Sequence, residues 1–84
     1  MQDEVAMATK KIIAGYIDRQ PETLTDETQL DELGVNSLQL TEIVMDLEDT
    51  FEIEFTENTS EAWAALKTVG DVIRAVEVRV DGKA

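Results

Sequence analysis

The chain has 84 residues, enough for one domain, and contains neither cysteine nor histidine. Disulfides and cysteine nucleophiles are therefore excluded, and no histidine can act as a general base or as a metal ligand. Nineteen acidic and seven basic residues give a net charge of −12, which disfavours nucleic acid and anionic membranes as partners and favours basic proteins.

The chain shows no sign of a membrane segment. No apolar run approaches the roughly 20 residues needed to span a bilayer, and the acidic N-terminus differs from a signal peptide. We therefore expect one domain over residues 1–84, a cytoplasmic monomer without membrane insertion.

The first predicted helix runs from about Asp3 to Asp18, and Pro21 prevents it from continuing. Its apolar residues recur at helical spacing. They are Val5, Ala8, Ile12, Ile13, Tyr16 and Ile17.

A long polar loop follows, from Gln20 to Val35. A loop of this length needs anchors. We expect the leucines at 24, 30 and 33 to hold it against the core.

The second helix is predicted to begin at Asn36 or Ser37 and to end near Phe51. Asn36 is a favoured N-cap, and Gln39, three positions on, resembles the second half of a capping box. Leu38 is expected to anchor the first turn. The predicted buried face consists of Leu40, Ile43, Val44, Leu47 and Phe51.

Two further helices complete the prediction. Alanines favour a short helix over 59–66, and the last helix runs from about Val69 to Val80, with Val69, Val72, Ile73 and Val76 inward. The fold class is therefore all-α, a small four-helix bundle with a long first loop and a short third helix.

The short helix carries Trp63, the single tryptophan. One interpretation packs Trp63 into the core with Leu66, as is usual for a large aromatic. The other places it near the rim between the second and third helices, where it would alter a cargo cavity or a partner contact.

The run Leu30-Asp31-Glu32-Leu33-Gly34-Val35-Asn36-Ser37-Leu38 resembles the signature of acyl and peptidyl carrier proteins. The resemblance covers nearly the whole chain, including the Lys-Lys-Ile-Ile run of the first helix and Thr68 to Val72. It implies that Ser37 receives 4′-phosphopantetheine from coenzyme A through a phosphopantetheinyl transferase, and that the arm's thiol holds an acyl or aminoacyl group as a thioester. The family usually has Asp where this chain has Asn36, a change that keeps the cap and removes a charge.

The residues themselves agree with this role for Ser37. A serine at a helix N-terminus lies beside unpaired N–H groups and the positive end of the helix dipole, which stabilise a phosphodiester. Gly34 allows the tight turn that leads into the helix. The simpler interpretation is that Ser37 only starts a helix.

Acidic residues without any base follow Ser37 as far as Glu54. Each like-charge pair three or four residues apart costs an isolated helix about 0.2–0.5 kcal/mol, so local stability does not explain them. We expect a docking face for basic acyl- or aminoacyl-transferring enzymes, with a solvated face as the alternative. The residues predicted to form it are Glu42, Met45, Glu48 and Asp49.

Three functions remain open at this point. The first is a carrier of acyl groups in a specialised fatty-acid or polyketide-like pathway, and the second is an aminoacyl or peptidyl carrier loaded by an adenylating ligase. The third is an unmodified helical interaction domain. In none of them is the chain an enzyme, and no metal site is predicted.

Overall fold

The computed structural model describes residues 2–55, 61 and 64–83. Three α-helices lie in these ranges: α1 is Gln2–Ile17, α2 is Ser37–Phe51 and α3 is Val69–Lys83, with a 3-10 turn at Pro21–Thr23. The described residues contain no strand, only an isolated bridge between Gln29 and Thr68. The all-α class is confirmed.

The predicted count of four helices is not confirmed. Half of the short helix expected over 59–66 falls outside the described residues, and Glu61, Ala64 and Ala65 within it are helical. Trp63, with its two predicted positions, also lies outside them.

The helix ends differ slightly from the prediction. α1 stops one residue early because Asp18 takes a left-handed φ of 55° and the N–H of Arg19 turns back to the carbonyl of Ala14 at 3.2 Å. α3 continues three residues past Val80. Val80 packs against the core, and such tertiary contacts stabilise a helix beyond the reach of propensity.

The core lies where the three helices face one another. The predicted inward residues of α2 at 40, 43 and 47 and all four of α3 are buried, whereas Val44 and Phe51 are half-buried. In α1, Val5 and Ile13 are buried as expected. Thr9 and Ala14 are also buried and were not predicted.

The long loop is anchored on this core. Leu24 and Leu30 are buried as predicted, Leu33 is half-buried, and Val35 adds a fourth contact. The anchors bring the loop backbone against the start of α3.

Backbone hydrogen bonds join the loop to α3. The N–H groups of Val69 and Gly70, which have no partner within their own helix, donate to the carbonyls of Thr28 and Asp26, each at 2.9 Å. The N–H of Leu30 donates to Lys67 O at 2.9 Å. The loop therefore caps α3 and is held in place where it turns toward α2.

Candidate functional site

Ser37 is the first residue of α2 and is exposed. The predicted capping box is present and consists of Asn36, the residue before Ser37, and Gln39, two residues after it. Asn36 Oδ1 accepts a hydrogen bond from the Gln39 N–H at 2.8 Å, and Gln39 Oε1 accepts one from the Asn36 N–H at 3.3 Å. Local hydrogen bonds therefore determine where α2 begins.

The turn before Ser37 requires a glycine. Gly34 has a φ of 84°, in the left-handed region that favours glycine, and its N–H donates to Asp31 O at 3.1 Å. Val35 then enters the core. The chain leaves this turn with Asn36 and Ser37 at the surface.

The surroundings of Ser37 fit a covalently attached phosphodiester. In the described part of the chain, neither the N–H of Ser37 nor that of Leu38 donates a hydrogen bond, and both belong to the positive end of α2. Such N–H groups bind phosphate oxygens. The site can therefore stabilise a phosphodiester on the Ser37 hydroxyl.

Nothing among the described residues activates Ser37 as an enzymatic nucleophile. No described residue is hydrogen-bonded to its side chain as a base, and the chain contains no histidine. Over the same residues, no group of three or more acidic side chains could hold a metal ion. No helix of 2–55 or 64–83 is long and apolar enough to cross a bilayer.

The last turn of α1 contacts α2 through Tyr16. The carbonyl of Tyr16 accepts from Gln39 Nε2 at 3.4 Å, and the Tyr16 hydroxyl donates to Asp46 Oδ2 at 2.8 Å. The bond to Asp46 raises the pKa of Tyr16 above its usual 10.0, and burial and the nearby carboxylate charges act in the same direction. The phenol therefore remains a donor at neutral pH.

The outward side of α2 presents one regular row of side chains, which we call the outer stripe. Its members alternate between apolar and acidic residues at spacings of four, three and four, opposite the buried face of the same helix. They are Leu38, Glu42, Met45 and Asp49.

Leu38 does not anchor the first turn of α2 as expected. Its side chain is 68% exposed. Seven residues are about two helical turns, so Leu38 lies on the same outward side of α2 as Met45, which is 60% exposed. The sequence contained the signal, since a residue two positions before Leu40 lies on the side of α2 opposite the core. Leu38 is therefore the stripe residue that sequence reasoning missed.

Glu48 is separated from the other predicted docking residues. It is half-buried, and its Oε2 accepts the N–H of Phe55 at 2.8 Å. Glu42, Met45 and Asp49 are exposed together, whereas Glu48 binds the segment that follows α2.

Comparison with known proteins agrees with this geometry. The family model described as the phosphopantetheine attachment site matches residues 8–76, a range that includes Ser37 and the outer stripe. A protein named acyl carrier protein from Exiguobacterium sibiricum is 36% identical over 80 residues, which are 94% of this chain and 98% of that protein. One of the same name from Chlamydia muridarum is 36% identical over 94% of this chain and 95% of its own. Nodulation protein F from Rhizobium leguminosarum bv. trifolii is 43% identical over 53 residues, covering 63% of this chain and 58% of that protein.

Proposed function

The chain belongs to the acyl carrier protein family, and we propose on this basis that it carries 4′-phosphopantetheine on Ser37 and shuttles thioester-bound acyl groups between enzymes. Members of this family are carriers and not enzymes. Phosphopantetheine is their attached group, and its terminal thiol supplies the thioester.

The observation that carries the proposal for Ser37 is its position. It is an exposed hydroxyl at the N-terminus of a capped helix, inside the matched region. In the transfer, Ser37 Oγ bonds to the phosphorus that bears pantetheine in coenzyme A, and the P–O bond of the pyrophosphate breaks. 3′,5′-ADP leaves, and the transferase takes the hydroxyl proton. The N–H groups at the start of α2 then face the new phosphodiester.

We further propose that partner enzymes dock on the outer stripe. Leu38 and Met45 supply apolar contact, and methionine adapts to partners of different shape. Glu42 and Asp49 supply negative charge, and no Lys or Arg occurs between Gln20 and Leu66 to oppose it. This charge favours enzymes with basic surfaces and fast, salt-sensitive association.

The cargo is proposed to be an acyl group in a specialised fatty-acid or polyketide-like pathway. The name acyl carrier protein in the relatives that cover most of the chain favours acyl over aminoacyl cargo. The similarity to a protein named for nodulation supports a specialised pathway. We also propose the cytoplasm, where coenzyme A is available, as the place of modification.

Intact mass spectrometry tests the role of Ser37. The wild-type chain is incubated with coenzyme A, Mg²⁺ and a phosphopantetheinyl transferase of broad specificity, alongside Ser37→Ala and Ser60→Ala. Ser60 is the other serine of the chain and provides the matched control. We expect the wild type and Ser60→Ala to gain one phosphopantetheine and Ser37→Ala to gain none. If Ser37→Ala is modified, Ser37 is not the site, and if Ser60→Ala is then unmodified, the site is Ser60.

A further inference from the structure

Gln39 uses both ends of its side-chain amide, and it uses them on two different helices. Its Oε1 accepts the N–H of Asn36, at the start of α2, at 3.3 Å. Its Nε2 donates to the carbonyl of Tyr16, in the last turn of α1, at 3.4 Å. One side chain therefore joins the end of α1 to the beginning of α2.

Neither backbone group has a partner among the backbone groups of its own helix. The last carbonyls of a helix have no intrahelical donor, and the N–H groups at a helix start have no intrahelical acceptor. An amide can serve both at once because it has an acceptor and a donor. Neither a carboxylate nor an apolar side chain of the same size can do so.

Burial shows why this link matters for Ser37. The side chains of Val35 and Leu40 are in the core, whereas Asn36, Ser37 and Leu38 between them are exposed. Gln39 is the half-buried residue of this corner. It is therefore the side chain within 36–39 that holds the exposed corner against α1.

We propose that Gln39 is a positioning residue for the modification of Ser37. By tying the first turn of α2 to α1, it fixes the direction in which the Ser37 hydroxyl is presented to the phosphorus of coenzyme A. The inference rests on the proposed function of Ser37. Alignment of the reacting atoms affects the chemical step, so loss of Gln39 should lower the kcat of the transferase reaction. Loss of outer-stripe contacts should instead raise the KM of the transferase for this carrier.

Two substitutions separate the two ends of the amide. Gln39→Glu keeps an acceptor for the Asn36 N–H but loses the donor to Tyr16 O, and it brings negative charge to the negative end of α1. Gln39→Met keeps the size and loses both bonds. Asp71→Ala is the matched control, because it removes a capping side chain from the start of α3 instead of α2.

Steady-state kinetics with a phosphopantetheinyl transferase and coenzyme A, well below the melting temperature of each variant, give the first readout. We expect both Gln39 variants to lower kcat by about fivefold with KM for the carrier unchanged, because both lose the hydrogen bond to Tyr16 O and one ordinary hydrogen bond contributes about this factor. Asp71→Ala should lower the melting temperature and leave kcat and KM unchanged. Wild-type kcat in Gln39→Met, or an equal loss in Asp71→Ala, would overturn the positioning role.

Backbone order parameters from ¹⁵N relaxation on the unmodified protein give a second readout that does not depend on the transferase. We expect them to fall at 36–38 in Gln39→Met and to stay at wild-type values in Asp71→Ala. Unchanged values in Gln39→Met would refute the positioning role. A wild-type chain that gains no phosphopantetheine would instead refute the proposed function, so the two failures are distinguishable.

Discussion

The backbone N–H of Phe55 donates a hydrogen bond to the Glu48 carboxylate at 2.8 Å. The ring of Phe55 in turn lies 4.4 Å from the Arg79 guanidinium carbon. Arg79 belongs to α3 and also donates to the carbonyls of Glu54, at 3.1 Å, and Ala75, at 2.9 Å. Glu48 is thus the first member of a set of contacts that joins the end of α2 to α3.

This arrangement predicts different effects for acidic residues that are close neighbours in α2. Glu42→Lys and Asp49→Lys should slow loading by a partner enzyme by raising KM, without lowering the melting temperature. Glu48→Lys should lower stability by roughly 1–2 kcal/mol, because a hydrogen bond to a charged group is lost. Thermal melts and loading rates at low and moderate salt check both parts. Loading that is insensitive to salt and to the changes at Glu42 and Asp49 would contradict docking on the outer stripe.

Thr9 is fully buried in α1, and its hydroxyl has no hydrogen-bond partner among the residues that the structure describes. Burying an unpaired hydroxyl costs about 1–3 kcal/mol. We expect Thr9→Val, which replaces the hydroxyl with a methyl of similar size, to raise the free energy of unfolding in urea by about 1 kcal/mol. Thr9→Ser, which keeps the hydroxyl and loses the methyl, should lower it. Equal or lower stability of Thr9→Val would show that the hydroxyl is satisfied in solution.

Asp71 links stability to pH at the start of α3. Burial opposes ionisation of the Asp71 carboxyl and acts to raise its pKa. This effect is outweighed by hydrogen bonds from the N–H groups of Lys67 and Thr68, by the Thr68 side chain and by the charge of Arg74. The pKa of Asp71 therefore lies below its usual 3.8. A carboxylate with a lowered folded-state pKa stabilises the protein above its unfolded-state pKa and loses this contribution as the pH falls. Asp71→Ala should therefore cost about 1 kcal/mol at pH 7, as for other helix caps.

The stability difference between wild type and Asp71→Ala should shrink as the pH falls below about 3.8. Urea denaturation at a series of pH values measures it. A difference that stays constant down to the acid transition would show that the ionised carboxylate is not the stabilising form.

Two glycines in helices should respond to alanine in opposite directions. A Cβ at Gly70 would lie only 2.8 Å from the carbonyl oxygen of Asp26. Gly70→Ala should therefore displace the loop away from α3 and lower the free energy of unfolding by about 1–3 kcal/mol. At Gly15, in α1, no described atom beyond the adjacent residues and the local helix backbone lies within 4 Å of the added Cβ, and alanine should stabilise by about 0.5–1 kcal/mol through helix propensity. Thermal melts of the two variants give the comparison. Equal shifts would mean that the loop is not packed this closely on α3 in solution.

Much of the site was predictable from local sequence. The capping box between Asn36 and Gln39 operates over three residues, and the spacing of Leu40, Ile43 and Leu47 reports which side of α2 is buried. The capping box and the apolar spacing together predicted where α2 begins and that Ser37 lies at its N-terminus. The exposure of Leu38 followed from the same spacing but was overlooked.

The remaining features depend on residues that are distant in the chain. By itself the sequence determined the helical class, three of the helices and the position of Ser37, because capping, proline and apolar periodicity act within a few residues. Only the tertiary structure decided that the Gln39 side chain reaches Tyr16 and that the Asp26 carbonyl caps α3 at Gly70. It also decided that Glu48 accepts a hydrogen bond from Phe55 and is not part of the outer stripe. These contacts form because the packed helices and the anchored loop bring unpaired backbone groups next to side chains or to the loop backbone. No periodic pattern in the sequence specifies which of these groups will pair.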